Sequence, residues 1–466
     1  MDGARRATTL RSLCLIPILA LAAVLRFAAL PSRGLLYWDE AKFLLEGVRL
    51  NTALLAVSDS RVVIPTGKAI GTAKPTHALL LALADALFGI HDYSGLFASA
   101  AFSVAGVALT FAVASLLFDP IVGLFAALIL AVSEYDVIYA RSALSESDAN
   151  AILLTGVLLW LWDRQGRRSA RRRYLLQGGA ATLLGLAFTV NYRIAVYAAV
   201  IIGLDLLYGL RERGHAASMR RALIWLAGFL AAPAAWEILD LVARARHLVL
   251  FRSEITLRPT SYLQEVMYQI HQGKQSAVHF GPLPYLQWFI AYEGLILALL
   301  LTAGIIVALR RRSFPWLAVL VPIALPYLLY IWAPVIVPRN LSAAIPFASI
   351  LAAAALVTGA RRLPGARAPL AASLAVALIL AGDGARRTWA LSEDRSGYSY
   401  AAAYIRAHSS SDVLTVNEIT AFYFRGTEGR CRYSKVPRTL SQLNADIRGG
   451  YSYALMDHFS RLATRY

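Results

Sequence analysis

Long apolar runs alternate with short polar ones along almost the whole chain. A bilayer span needs roughly 20 predominantly apolar residues to cross about 30 Å of hydrocarbon. By that measure the pattern predicts crossings near residues 12–30, 96–117, 121–138, 149–163, 175–190, 194–210, 222–240, 285–309, 314–333, 341–358 and 369–383, eleven in all. A further apolar stretch, Thr76 to Ile90, is short and flanked by Lys74 and by His91 and Asp92. It reads as a juxtamembrane or re-entrant helix. No small-residue cleavage pattern follows the run from Ser12 to Leu30, so it reads as a retained first helix. After about residue 384 the pattern changes to a small alternating unit: helix-like Tyr400–His408, strand Asp412–Val416, helix-like Ile419–Phe424, a helix near Leu440–Ile447 and strand Tyr451–Met456. The expected fold is therefore an all-α polytopic membrane domain over residues 1–383, followed by a small α/β domain over 384–466. The latter is too small to bury more than a modest core, so it should lean on the helices or be incomplete.

Composition agrees with the pattern: 58% of the 466 residues are hydrophobic and 16% charged, too apolar for a soluble enzyme. The 46 Lys and Arg against 28 Asp and Glu give a net charge of +18, which in a membrane protein speaks for cytoplasmic loops and not for nucleic acid. Arginines cluster at Arg5, Arg6 and Arg11, at Arg164 to Arg173, at Arg211 to Arg221, at Arg310 to Arg312, and at Arg361 to Arg367. Placing these clusters in the cytoplasm puts the N-terminus inside and, after an odd number of crossings, the tail outside. A crossing at 76–90 would send every later cluster to the wrong side. The outer face then carries the loops near 31–74, 134–148 and 241–284 and the tail, and any chemistry belongs there. Cys14 and Cys431 are far apart and read as free thiols.

Four groups of residues stand out on that face. Asp39 and Glu40 follow Tyr37 and Trp38 just after the first span, placed for a general base or a metal ligand at the bilayer surface. A plainer role for Asp39 is to cap the amphipathic stretch 40–50. Asp148 closes the run from Tyr139 through Arg141, Ser145 and Glu146, where it equally suits a helix cap. Lys74, Arg193 and Arg339 are scattered outer cations whose chemistry suits a phosphate, or lipid headgroups taken singly. His279 precedes Pro282 and Tyr285 and could bind metal or move a proton, with His271 an equal rival. Arg26, an intramembrane charge, lies near the outer end of its helix and can snorkel.

The order of these pieces resembles the GT-C class of integral-membrane glycosyltransferases, in particular the dolichyl-phosphate-mannose protein mannosyltransferase and aminoarabinose-transferase-like superfamily. Asp39-Glu40-Ala41 is similar to its first-loop acidic signature, Lys74-Pro75 with Leu-Phe88-Gly89 to its KPP segment, and Arg141 through Asp148 to its R-x-alt-D element. His279 with Pro282 and Tyr285, and Pro338-Arg339-Asn340 with Pro346, resemble two later stretches. The sequence departs from the family at Ala73, where a glutamate is usual, at Thr76, where the second proline is usual, and at Asn340, where tyrosine is usual.

The resemblance implies a sugar donor carried on a polyprenyl phosphate and an acceptor that is a lipid, glycan or protein. It implies transfer on the outer face of a plasma or inner membrane by an inverting single displacement. Asp39 would be the base or acceptor-orienting carboxylate, with Asp148 and Glu40 beside it. Lys74, Arg193 and Arg339, with Arg141, would offset the charge on the departing phosphate. A divalent metal is left open and none is required, since Ala73 removes one ligand that some members would offer it. The rival reading is a lipid-linked sugar flippase or secondary transporter, against which stand the absence of an internal repeat and the large outer first loop.

Overall fold

The computed structural model describes residues 14–58, 73–164, 169–213, 215–245, 249–251, 259–275, 283–333, 336–365, 367–408, 412–415, 418–424, 441, 444, 445, 448 and 451–455. Its helices run α1 (Leu15–Phe27), α2 (Trp38–Ser58), α3 (Pro75–Phe88), α4 (Asp92–Leu117), α5 (Pro120–Ala131), α6 (Glu134–Ala140), α7 (Glu146–Arg164), α8 (Ala170–Val190) and α9 (Ile194–Arg213). They continue with α10 (His215–Ala245), α11 (Tyr262–Gln275), α12 (Leu283–Arg311), α13 (Phe314–Tyr330), α14 (Ile345–Ala360) and α15 (Ala368–Ala390). A 3-10 segment, Pro338–Ala344, leads into α14. The protein is thus a mostly helical, multi-pass membrane protein.

Every stretch expected to cross the membrane is helical. By length and composition, seven helices among the described residues can span a bilayer, or eight if α5 and α6 count as one. The remaining expected spans fall short for visible reasons. Helix α13 has only 17 residues, and α7 and α8 begin with polar turns, Glu-Ser-Asp and Ala-Arg-Arg-Arg.

Helix α14 sits at the centre, and 89% of its spanning window is buried. It is apolar on every side, as a helix surrounded by protein must be. A glycine on its neighbour allows a close approach: a Cβ on Gly304 of α12 would stand 2.7 Å from Leu351 Cγ. Around it, Val113, Leu153, Leu154, Trp160, Leu184, Tyr197, Trp225, Trp316 and Phe347 form the main core. Leucines on α10, α12 and α15, such as Leu226, Leu299 and Leu378, stay exposed, the surface expected of helices whose solvent is lipid.

Two expectations are corrected. The stretch 121–138 is not one straight helix, because α5 and α6 meet at an angle of 61°. Ser133 starts the new helix by accepting a hydrogen bond from the Asp136 amide, and Glu293 of α12 accepts from Ser133 Oγ at 2.6 Å and from the Tyr135 amide at 3.0 Å. Four first-turn amides of any helix lack partners within it, and here side chains supply them. Arg26 does not snorkel. It is fully buried, paired with Asp136 at 2.7 Å, and bonded to Ser103 and to the carbonyls of Ala22, Leu130 and Ala131. A guanidinium inside the bundle has to find such partners, and these staple α1 to the α5–α6 corner.

The stretch 76–90 is helix α3, whose 14 residues reach about 21 Å, short of a crossing. Beyond α15 come α16 (Gly397–His408), β1 (Asp412–Thr415), α17 (Glu418–Tyr423) and β2 (Tyr451–Leu455). The two strands pair in parallel, with Asp412 opposite Tyr451 and Thr415 opposite Leu455. Of the helix expected near 440–447, Ser441, Asn444 and Ala445 are helical and the rest lies outside the described residues. The tail does lean on the helices. Ile419 and Phe422 are buried with Leu35, Leu44, Leu81 and Leu96, while the Tyr423 hydroxyl donates to Asp92 at 2.7 Å and accepts from the Leu35 amide at 3.1 Å.

Candidate active site

Five helix ends bring charged side chains together. Asp39 lies in the first turn of α2, Lys74 immediately precedes α3, Glu146 opens α7, Arg193 lies in the turn between α8 and α9, and Arg339 is in the 3-10 segment before α14. Each position is fixed locally. Pro75 excludes Lys74 from helical geometry and starts α3. The Arg193 amide donates to Asn191 Oδ1 at 3.2 Å, an Asx turn, while its carbonyl accepts from the Tyr330 hydroxyl at 2.9 Å. The segment around Arg339 is held by a hydrogen bond from the Tyr135 hydroxyl to the Pro338 carbonyl and by one from Asn340 Nδ2 to the Tyr285 hydroxyl at 2.9 Å.

Asp39 Oδ2 accepts from Arg339 Nη1 at 2.6 Å, and the two side chains remain 16% and 27% exposed, respectively. Burial alone would raise the Asp39 carboxyl, but the Arg339 guanidinium outweighs it and holds that carboxyl below its usual range. Lys74 is buried, donates to Ser145 Oγ at 2.8 Å and places its ammonium 4.6 Å from the centre of the Phe43 ring. Burial pushes Lys74 down to about 8. Among nearby charges, Glu146 and Asp39 favour its ammonium, while Arg193 and Arg339 oppose it. Glu146 lies 3.9 Å from Arg193 Nη1 and is fully buried. Three cations and two carboxylates thus face one another, leaving one positive charge for an anion.

The other expected site residues lie elsewhere. Glu40 is buried with all its oxygens engaged: it accepts from the Leu36 and Tyr37 amides at 2.7 Å each, from Ala143 N at 3.1 Å and from Arg33 at 2.9 Å. It therefore holds the amide just ahead of α2, a capping role that the sequence reading offered for Asp39 as one alternative. Asp148 is 3% exposed and bonded to His77 Nδ1 at 2.7 Å, so it faces an imidazole and not the cation cluster. Arg141 turns away as well, donating through Nη1 to the carbonyls of Leu25, Arg26 and Ala28, the orphan acceptors at the end of α1. His279 lies outside the described residues.

One residue of the site escaped sequence reading, Glu146, and so did His77, which lies beside the site and is engaged with Asp148. The signal for His77 was its place one turn after Lys74 in a largely apolar helix, whereas nothing in the sequence sets Glu146 apart from Asp148 at the start of the same helix. No three His, Cys, Asp or Glu side chains group to hold a metal among the described residues. Where the family's glutamate would stand, Ala73 is packed against Leu50, Trp236 and Phe251. Asp39 is paired with Arg339.

Residues 72–236 match a family model described as dolichyl-phosphate-mannose-protein mannosyltransferase. No curated protein sequence matches the chain. Among solved structures, ArnT from Cupriavidus metallidurans bound to undecaprenyl phosphate superposes with a TM-score of 0.64 at 15% identity, covering 97% of this chain and 94% of that one. The oligosaccharyltransferase of Archaeoglobus fulgidus superposes with a TM-score of 0.59 at 12% identity, over 91% of this chain and 64% of that one. Its complex with an inhibitory peptide and a dolichol-phosphate gives 0.55 at 13% identity, over 87% and 58%. The chain therefore has the GT-C fold of membrane glycosyltransferases over nearly its whole length and carries, over residues 72–236, the sequence pattern of the dolichyl-phosphate-mannose-protein mannosyltransferase family.

Proposed function

We propose that the protein transfers a sugar from a polyprenyl-phosphate donor to an acceptor at the outer, periplasmic face of the inner membrane, by a single inverting displacement. In this reading residues 1–383 cross eleven times as the catalytic domain, with the N-terminus in the cytoplasm, and 384–466 form an α/β domain outside. The observation that carries the reading is the convergence of Arg193, Arg339 and Asp39 on Lys74, with Asp39 and Arg339 paired at 2.6 Å. Arginine forks and an ammonium match the oxygens of a phosphate. The lipid tail accounts for the site lying at helix ends within a membrane bundle.

The chemistry uses the chain's own groups. The acceptor hydroxyl attacks the anomeric carbon as the bond from that carbon to the phosphate oxygen breaks. Its proton passes to Asp39, and the polyprenyl phosphate leaves with both electrons of the broken bond. Asp39 in its ion pair is a weak base. A donor phosphate that draws the Arg339 guanidinium to itself returns the carboxylate toward its ordinary basicity at the moment a base is needed. Lys74 and Arg193 offset the charge that grows on the leaving oxygens. Glu40, Asp148 and Arg141 hold the scaffold of this site.

The test is transfer of labelled sugar in reconstituted vesicles. ArnT was solved with undecaprenyl phosphate, so sugars on that lipid are the first donors to try, with envelope extract as acceptor. Asp39→Asn should cut transfer by about 100-fold or more. Activity within a few-fold of wild type removes Asp39 as the base, and a product that retains the donor's anomeric configuration rules out single displacement. Movement of lipid across the bilayer without transfer to any acceptor turns the reading to a flippase.

A further inference from the structure

An acid buried in a phosphate site calls for a physical reason, because it repels the ligand. Glu146 is such an acid. It is fully buried at the start of α7, its Oε1 is loosely held by Asn191 Nδ2 at 3.4 Å and by Arg193 Nη1 at 3.9 Å, and its Oε2 has no hydrogen-bond partner among the described residues. The preceding residue, Ser145, accepts from Lys74 Nζ at 2.8 Å. Glu146 is therefore neither a helix cap nor half of a saturated salt bridge. It is a negative charge set among cations with one oxygen in reserve.

We infer that Glu146 is a positioning residue, whose carboxylate keeps the Lys74 ammonium charged and holds Arg193 beside it, so that both cations stand ready when the donor phosphate arrives. The inference rests on the phosphate-site reading of Lys74, Arg193 and Arg339. Its physical basis is the company that Lys74 keeps. The ammonium is removed from water, and Arg193 from the α8–α9 turn and Arg339 from the 3-10 segment both repel it. On α3 itself the nearest titratable side chain, His77, is engaged with Asp148 of α7. From α2 comes Asp39, which shares its charge with Arg339 and is also felt by Lys42. Glu146 favours the ammonium, and it directly follows Ser145, whose hydroxyl the ammonium meets at 2.8 Å. Without it, burial and two guanidiniums would act against one carboxylate already in use, and Lys74 would lose its proton at lower pH.

A phosphate that binds takes over the same task, since its own charge stabilises the ammonium. Glu146 is then needed most in the empty site, and its effect falls on donor capture.

The experiment measures binding of undecaprenyl phosphate to the full-length protein in nanodiscs from about pH 6 to about pH 10. In the wild type, affinity should fall as pH rises through about 8, because Lys74 is charged below that value and neutral above it. Lys74→Arg should abolish the fall, since a guanidinium stays protonated throughout. Glu146→Gln should move the midpoint down by about one pH unit, and in the Lys74→Arg background it should produce no such move. A glutamine variant that keeps the wild-type midpoint, while Lys74→Arg removes the fall, overturns the role of Glu146 and leaves the phosphate site standing. Lys74→Met that binds the lipid as tightly as wild type across the range overturns the phosphate site itself. Should Glu146→Gln not fold, Asn191→Asp sets a second carboxylate beside Glu146 and should move the midpoint upward; a midpoint that stays in place counts against the inference.

Discussion

At the scale of single residues, the structure sorts charges that sequence alone leaves as equals. Asp39 and Asp148 both stand where a helix begins on the expected outer side, yet one meets a guanidinium at 27% exposure and the other a buried imidazole. The difference has a measurable consequence. Asp148→Ala leaves His77 buried with a ring nitrogen that has lost its partner, which costs about 1–3 kcal/mol. We expect the variant to unfold at lower temperature in detergent while binding undecaprenyl phosphate within a few-fold of wild type, and a loss of affinity without a loss of stability would move Asp148 into the site. The cations of the cluster are legible as chemistry: Lys74, Arg193 and Arg339 read as phosphate ligands from their residue types and positions, and they do converge. Their separation from Arg141 is not legible. An arginine beside an interface looks the same in sequence whether it faces a ligand or the last carbonyls of α1, and only the packing of α1 against the α6–α7 turn decides it.

At the scale of elements, the helices that carry the site are spaced by glycines. A Cβ on Gly185 of α8 would collide with the Phe229 carbonyl oxygen of α10, and one on Gly228 would stand 2.5 Å from Ala181 Cβ. Small residues at a helix crossing are how membrane helices approach closely. This crossing supports the Arg193 turn at the end of α8 and Trp236 of α10, whose indole donates to Thr76 at 2.8 Å beside Lys74. Gly185→Ala should therefore destabilise the protein by about 1–3 kcal/mol and lower transfer, because the intruding methyl meets backbone that cannot rotate away. Gly203→Ala on α9, where a Cβ meets nothing within 4 Å, is the matched control and should leave the unfolding temperature unchanged or raise it. Equal effects of the two would show that the crossing is not tight. The spans themselves are legible because an apolar run of that length must be taken out of water whatever surrounds it. The corner between α5 and α6 is marked in the sequence only by the polar turn Ser133-Glu134-Tyr135-Asp136. What is hidden is the partner that holds it, the Glu293 carboxylate of α12, far along the chain.

At the scale of the whole molecule, the side on which the Asp39 cluster works follows from orientation, and the positive-inside pattern of the arginine clusters predicts that side to be the outer one. The arginine-rich end of the bundle has its own signature: Arg221 bridges Asp163 and Asp205 at 2.9 and 2.8 Å, and Asp205 also accepts from the indoles of Trp160 and Trp225. That network ties the ends of α7, α9 and α10 together beside the arginine-rich connections. On the opposite side the tail covers α2 and α3 through Ile419 and Phe422. If the positive-inside pattern holds, these two ends lie on opposite faces of the membrane. The chain offers a clean test because it has only two cysteines, Cys14 and Cys431. With both replaced by alanine, Tyr400→Cys on α16, at a position 80% exposed, should react with a membrane-impermeant maleimide in cells whose inner membrane is intact. Leu363→Cys, between α14 and α15 and 45% exposed, should react only after that membrane is permeabilised. Labelling of both positions in intact cells would mean that α15 does not cross. The reverse pattern would put the Asp39 cluster in the cytoplasm, and with it a donor and an acceptor made and consumed on the inner leaflet.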